Sequence, residues 1–236
     1  MSKILSEKKA NSSRQLSRRN FLGYAGAATG LFIGISSCNK QDQIQPMLSN
    51  NQGTQATVNL GSGDIGILNY AYALEQLEAA FYTMVIMTPY SGMSTMETSL
   101  ITGVRDHEIA HREFFKNALA DKAIGQLQFD FSSVNFSSRT SVLTTAKAFE
   151  DLGVSAYNGA GRLIMNPDYL AAAGKIVSVE GRHAAFFREL LAIDTFADDT
   201  VVDAMGLDVT RRPSEVLPIA SPYIVTEIDA SNLPTY

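Results

Sequence analysis

Residues 104–115 read VRDHEIAHREFF, and residues 176–187 read IVSVEGRHAAFF. Aligned at an offset of 72, they match Glu108 to Glu180, His111 to His183 and Phe114-Phe115 to Phe186-Phe187. Both copies contain Glu-x-x-His, and on a helix a spacing of three puts the two side chains on one face. A second match, at an offset of 75, pairs Ala73–Tyr82 with Ala148–Tyr157 and so Glu75 with Glu150 and Tyr82 with Tyr157. The chain therefore reads as two copies of one helical hairpin.

Four helices follow from the flanking signals. The first starts near Asp64, an N-cap residue, and ends before Pro89; Leu68, Ala71, Leu74, Glu75, Glu78 and Tyr82 share its inner face. The second starts at Ser94, with Glu97 closing a capping box, and runs to about Ala120. Residues 124–139 lack a helical period and are long enough to pass from one end of a bundle to the other. The third helix covers about Ser141 to Met165, its second half weakened by Gly153, Gly159 and Gly161. Asn166-Pro167 opens the fourth, which reaches about Asp194. From Ala197 to Tyr236 there is no long periodic run, and this tail is expected to wrap the bundle. The fold class expected is all-α: a four-helix bundle with one long crossover connection and an irregular C-terminal tail.

Glu75 and Glu150 sit among apolar neighbours and so point inward, toward the two Glu-x-x-His pairs. Four carboxylates facing one core repel each other and lack water, at a cost of several kcal/mol per unpaired ion. Two divalent cations cancel the four charges. The candidate metal ligands are thus Glu75, Glu108, His111, Glu150, Glu180 and His183. Glu108 or Glu180 could bridge the two ions while Glu75 and Glu150 cap them. Glu78 lies one turn from Glu75 but matches Gly153 in the repeat, so it is assigned a supporting acid role, with ligation as the alternative. Tyr82 and Tyr157 fall seven residues after Glu75 and Glu150 on the same faces, as hydrogen-bond partners of ligand carboxylates or as plain core residues. His107 points about 100° away from Glu108 and reads as peripheral. The four phenylalanines of the motif pairs read as core packing.

One glutamate from each of two helices and Glu-x-x-His from each of two others is the ligand pattern of ferritin-like dimetal carboxylate bundles. The segments 74–82 (LEQLEAAFY), 150–159 (EDLGVSAYNG) and 179–184 (VEGRHA) resemble the desiccation-associated and exported bacterial branch of that group. The resemblance spans about residues 64–195 and implies a ferritin-like domain. It also implies a centre that reduces O2 or acts on peroxide, with a small oxidant as substrate. The alternatives are a ferroxidase-like, metal-handling role and an envelope-stress interaction protein whose metal is structural. Glutamate-rich ligation with one imidazole per ion favours two Fe ions, or two Mn ions, over zinc or calcium.

Composition frames these readings. The chain has 236 residues, a formal charge of −5 and a single cysteine, Cys38. One cysteine excludes an intramolecular disulfide and a cysteine-based zinc site. The charge speaks against a nucleic-acid partner. Residues 1–37 read as a twin-arginine-type lipoprotein signal: basic residues through Arg18-Arg19, an apolar Gly-rich run from Phe21 to Ile35, then Ser36-Ser37-Cys38 in the manner of a lipobox. A plain signal peptide is the alternative. Cleavage before Cys38 leaves 13 basic and 23 acidic side chains, a net charge of −10. Residues 38–63 then form a polar tether lipid-anchored at Cys38, residues 64–195 the bundle, and residues 196–236 an extension packed on it. The expected location is the bacterial cell envelope or periplasm, with the membrane as partner through the anchor. Self-association as a homo-oligomer stays open.

Overall fold

In the computed structural model, which describes residues 57–236, four long helices form the bundle: α1 (Gly63–Met87), α2 (Thr95–Leu119), α3 (Arg139–Gly161) and α4 (Pro167–Leu191). The expected signal segment, the expected lipid anchor at Cys38 and most of the expected tether lie outside the described residues. A short helix, α5 (Pro213–Ala220), follows, and β1 (Val58–Asn59) pairs in parallel with β2 (Ile228–Asp229). Among the described residues, no helix is long and apolar enough to cross a membrane.

The start of α2 follows from its cap: Ser94 Oγ accepts from the Glu97 N–H at 3.1 Å, and Glu97 Oε2 accepts from the Ser94 N–H at 2.9 Å. The free oxygen of the Glu97 carboxylate accepts from Arg139 Nε at 2.8 Å, which sets the N-termini of α2 and α3 side by side. These two helices therefore run in the same direction, as a chain that crosses the bundle between them requires. Burial pushes the Glu97 carboxyl up, but the Ser94 amide and Arg139 outweigh it and hold the group at about 2.

Two buried amides on α1 guide that crossover. Asn69 Oδ1 accepts from the Ile124 N–H at 2.9 Å, while its Nδ2 donates to the Leu60 and Lys122 carbonyls at 3.1 and 2.9 Å. One helical stretch on, Gln76 accepts from the Leu127 N–H at 2.9 Å and donates to the Gly125 carbonyl at 3.3 Å. Further along, Phe131 and Phe136 pack on Phe81. The segment thus follows α1 from its first half toward its C-terminus. The tail lies over it: Asp130 N donates to Tyr223 O, Val225 N to Gln128 O, and Phe149 meets Tyr223 edge-on. So covered, α1 has buried positions all around its circumference.

Several sequence expectations shift. Ser62, not Asp64, is the α1 N-cap; the Asp64 carboxylate instead accepts from the Met165 and Asn166 N–H groups at 2.8 Å each, joining the starts of α1 and α4. The third helix begins at Arg139 and ends at Gly161 rather than Met165, and the fourth ends at Leu191 rather than Asp194. The glycines do not break α3, and two of them serve close approaches. A Cβ on Gly159 would lie 1.7 Å from the Arg211 carbonyl oxygen of the tail, whose N–H donates to Ser155 O. The tail is not wholly irregular, since it contains α5. Phe115 and Phe187 are buried, but Phe114 is exposed and Phe186 only half-buried, since helical neighbours point 100° apart.

Near the end of α4 the buried Arg188 forms a two-bond fork with Asp151 of α3, at 2.7 and 2.8 Å, and also reaches Asp198 at 3.0 Å. That arginine ties the second hairpin to the first residues of the tail.

Gly159→Ala is expected to cost about 2–4 kcal/mol by forcing the tail off α3. Gly174→Ala, where a Cβ meets nothing within 4 Å, is expected to gain about 0.5–1 kcal/mol. Chemical denaturation of the two variants checks the contrast; equal stabilities would mean that the Arg211 contact does not hold the tail.

Candidate metal centre

The bundle brings Glu75, Glu108, His111, Glu150, Glu180 and His183 to its middle. All four carboxylates are 0% exposed. They form two groups, Glu75–Glu108–His111–Glu180 and Glu108–Glu150–Glu180–His183, with ligand atoms in each within 4.8 Å of one another. Glu108 and Glu180 belong to both. Each Glu108 oxygen faces a different half: Oε2 lies 3.3 Å from His111 Nδ1, and Oε1 lies 2.8 Å from His183 Nδ1.

The contacts follow a two-fold pattern. His111 Nδ1 is 3.4 Å from Glu75 and 3.0 Å from Glu180; His183 Nδ1 is 3.4 Å from Glu150. Tyr82 of α1 donates to Glu150 Oε1 of α3 at 2.5 Å, and Tyr157 of α3 donates to Glu75 Oε1 of α1. Such reciprocal pairing requires α1 and α3 to run antiparallel. The pairs Glu108–His183 and His111–Glu180 require the same of α2 and α4. The tyrosines thus hold the outer oxygens of Glu75 and Glu150 and leave the inner ones facing the histidines.

Do these residues fit a metal pair? Among the described residues, Glu75 Oε2, Glu108 Oε1, Glu150 Oε2, both Glu180 oxygens and His183 Nδ1 are buried without a hydrogen-bond partner. Three of them, Glu108 Oε1, His183 Nδ1 and Glu180 Oε1, nonetheless sit 2.8–3.0 Å from a donor or acceptor, too poorly directed to bond it. Groups that crowd to about 3 Å without pointing at each other are arranged like neighbouring ligands around a cation at about 2.1 Å. An unpaired buried carboxylate oxygen is otherwise expensive. The donor set fits two cations.

Protons take the place of cations in the electrostatics of the bare protein. Burial pushes Glu75 well up, against the pull of His111. Burial and then the Glu180 and Glu150 charges push Glu78 the same way. Burial also raises Glu180, and raises Glu150 to about 8. Burial pushes Glu108 up, but His111 and His183 on either side of it outweigh burial and hold it at about 2. Burial disfavours charge on the histidines, but the carboxylates around them prevail and raise His111 to about 12 and His183 to about 10.

Three further residues complete the surroundings. Glu78 is buried yet belongs to neither ligand group. Gly153 makes room for it: a Cβ there would lie 3.1 Å from Glu78 Oε1 and 3.3 Å from Glu180 Oε2. His107, expected to be peripheral rather than a ligand, is exposed and belongs to neither ligand group, but its Nδ1 lies 2.9 Å from His183 Nε2. The sequence signal for it is the one-turn spacing from His111, together with Ala184, whose small side chain lies opposite position 107 in the antiparallel register.

Residues 63–192 match the sequence profile of the family described as a ferritin-like domain. A comparison with curated proteins gives no match to the chain.

The pH dependence of the bare protein follows from these shifts. For Glu75, Glu78, Glu150, Glu180, His111 and His183, the folded chain binds protons more tightly than the unfolded one. Each contribution is full below the unfolded value, about 4.3 for Glu and 6.5 for His, and is lost as pH rises through the folded value. Glu108 runs the other way, its contribution full above about 4.3 and lost as pH falls from there toward about 2, below the range in question. The melting temperature of chelator-treated protein is therefore expected to fall from pH 5 to pH 9, and calorimetry that finds it rising would contradict the proton-filled centre.

Proposed function

The chain belongs to the ferritin-like domain family, and from that membership we propose that it holds two divalent cations, iron first and manganese second, and uses them in redox chemistry on O2 or peroxide. The observation that carries this reading is the set of unpaired, fully buried carboxylate oxygens facing two imidazole nitrogens across a two-fold arrangement. Hard oxygen ligands with one imidazole per ion suit Fe(II) or Mn(II). Bound there, two such ions supply a pair of electrons to a small oxidant.

The chain's own residues set the conditions for that chemistry. Glu108 and Glu180 are shared by the two halves; Glu75 with His111, and Glu150 with His183, complete one half each. Tyr82 and Tyr157 fix the terminal carboxylates by their outer oxygens, so that these keep one orientation. Glu78 holds a proton beside Glu180 on the α1 side of the centre. Complete burial excludes bulk water from the four carboxylates. Delivery by the twin-arginine route, which carries folded proteins, and anchoring through a lipidated Cys38 accord with a centre loaded before export; the support for this is the sequence of residues 1–38. Ferroxidase-like metal handling and a purely structural metal are the competing outcomes.

Protein expressed in iron- and manganese-replete medium is expected to contain two metal ions per chain by elemental analysis, and fewer than about one would overturn the assignment. Glu180→Ala is expected to empty both positions, since this residue serves both. Rapid O2 uptake or peroxide loss by the loaded protein supports the redox reading. Oxidation of Fe(II) that stops after one round supports metal handling instead, and a melting-temperature change on chelation alone supports a structural metal.

Tyr157→Phe leaves Glu75 Oε1 without its donor and is expected to weaken metal binding about 10- to 100-fold. Competition against a chelator of known affinity measures it; unchanged affinity would mean that Tyr157 is only core packing.

A further inference from the structure

The two halves of the centre are alike in their ligands but not in what stands behind their histidines. His183 Nε2 meets His107 Nδ1 at 2.9 Å. The two ring planes lie within 9° of each other with centroids 5.1 Å apart, a separation that the N···N line and two ring radii account for. The rings therefore meet edge to edge, nearly in one plane, with the hydrogen close to the line between the nitrogens. Among the described residues, no comparable hydrogen bond holds the outer nitrogen of His111, whose only ring contacts run from Nδ1 to carboxylates.

We propose that His107 is a positioning residue that commits His183 to cation binding through Nδ1, making the Glu150–His183 half of the centre the one whose loading depends on an outer imidazole. The inference rests on the dimetal reading above. A neutral imidazole has one ring hydrogen. For His183 Nδ1 to offer its lone pair to a cation between Glu108 and Glu150, that hydrogen must sit on Nε2, and Nε2 needs an acceptor at this buried depth. His107 Nδ1 is that acceptor. The hydrogen of His107 then sits on its own Nε2, on a side chain that is exposed to solvent. Outer partners of ligating histidines fix ring orientation and tautomer. A carboxylate in that place would add a further negative charge beside four buried ones. A neutral acceptor orients the ring without adding to the charge that the cations must offset.

The test combines Mn(II) titration of the full chain, read by the electron paramagnetic resonance of free Mn(II), with the imidazole 15N signals of metal-free protein. Wild type is expected to take up two ions and to show a slowly exchanging Nε2–H on His183. His107→Leu is expected to weaken one of the two ions at least tenfold, leave the other unchanged and lose the protected Nε2–H. His107→Asn, whose Oδ1 stands where Nδ1 stood, is expected to restore both. Should the leucine disturb folding, as read by circular dichroism, His107→Ala removes the acceptor without apolar bulk and repeats the comparison. Two-ion uptake that is equally tight without the acceptor, or a failure of His107→Asn to restore it, overturns the inference alone. A wild-type chain that takes up no Mn(II) overturns the dimetal reading, and this inference with it.

Discussion

Five glutamates buried around the middle of one helical bundle are the constraint on which the rest of this structure depends. No apolar core tolerates that much unpaired negative charge, so it must be neutralised by protons, imidazolium groups or cations. In the bare protein, Glu108 stays ionised between two charged histidines, and the other carboxyls are pushed toward their neutral forms. Cation binding must then displace protons, which couples metal uptake to pH. The tyrosines belong to the same solution, because each hydroxyl satisfies one carboxylate oxygen and leaves its twin facing the histidines.

The helices divide the work unevenly. α1 and α3 carry Glu75, Glu150 and the two tyrosines; α1 is buried nearly all round beneath the crossover and the tail, and α3 along its second half, from Phe149 to Ala160. α2 and α4 carry the Glu-x-x-His pairs and have far fewer buried positions, so the histidine side of the centre is the side nearer solvent. His107 stands on that side, between the buried His183 and water. The crossover and tail therefore insulate one flank of the centre, and access, whether for an ion or a small oxidant, is shorter from the other.

Much of this was legible in the sequence because the decisive features are local or periodic. The Ser94–Glu97 box, Asn166-Pro167 and the two Glu-x-x-His copies are short-range patterns with a direct physical reading. The repeat matched Glu75 to Glu150 and Tyr82 to Tyr157 without any structure. What it could not convey is which partner each side chain meets across the bundle. The tyrosines exchange glutamates between halves, Asp64 reaches the start of α4 instead of capping its own helix, and His107 turns from the periphery to His183. The glycines of α3 count against a helix by propensity, yet Gly153 and Gly159 are explained by a carboxylate and a carbonyl that approach from distant parts of the chain. Such contacts depend on register between elements, which no single segment encodes.

The exchange of tyrosines has a consequence for how such a chain can arise. A lone hairpin of this type could not finish its own chemistry, because its tyrosine is aimed at a glutamate on the other copy. Two identical hairpins meeting about a two-fold axis would make both of these tyrosine–glutamate bonds, so the exchange does not require that they be joined. Joining them brings a different advantage: the halves become free to differ. Position 78 is a glutamate where its twin, position 153, is a glycine, and an imidazole stands behind His183 but not behind His111. Those are changes that a symmetric pair of identical chains could only make twice.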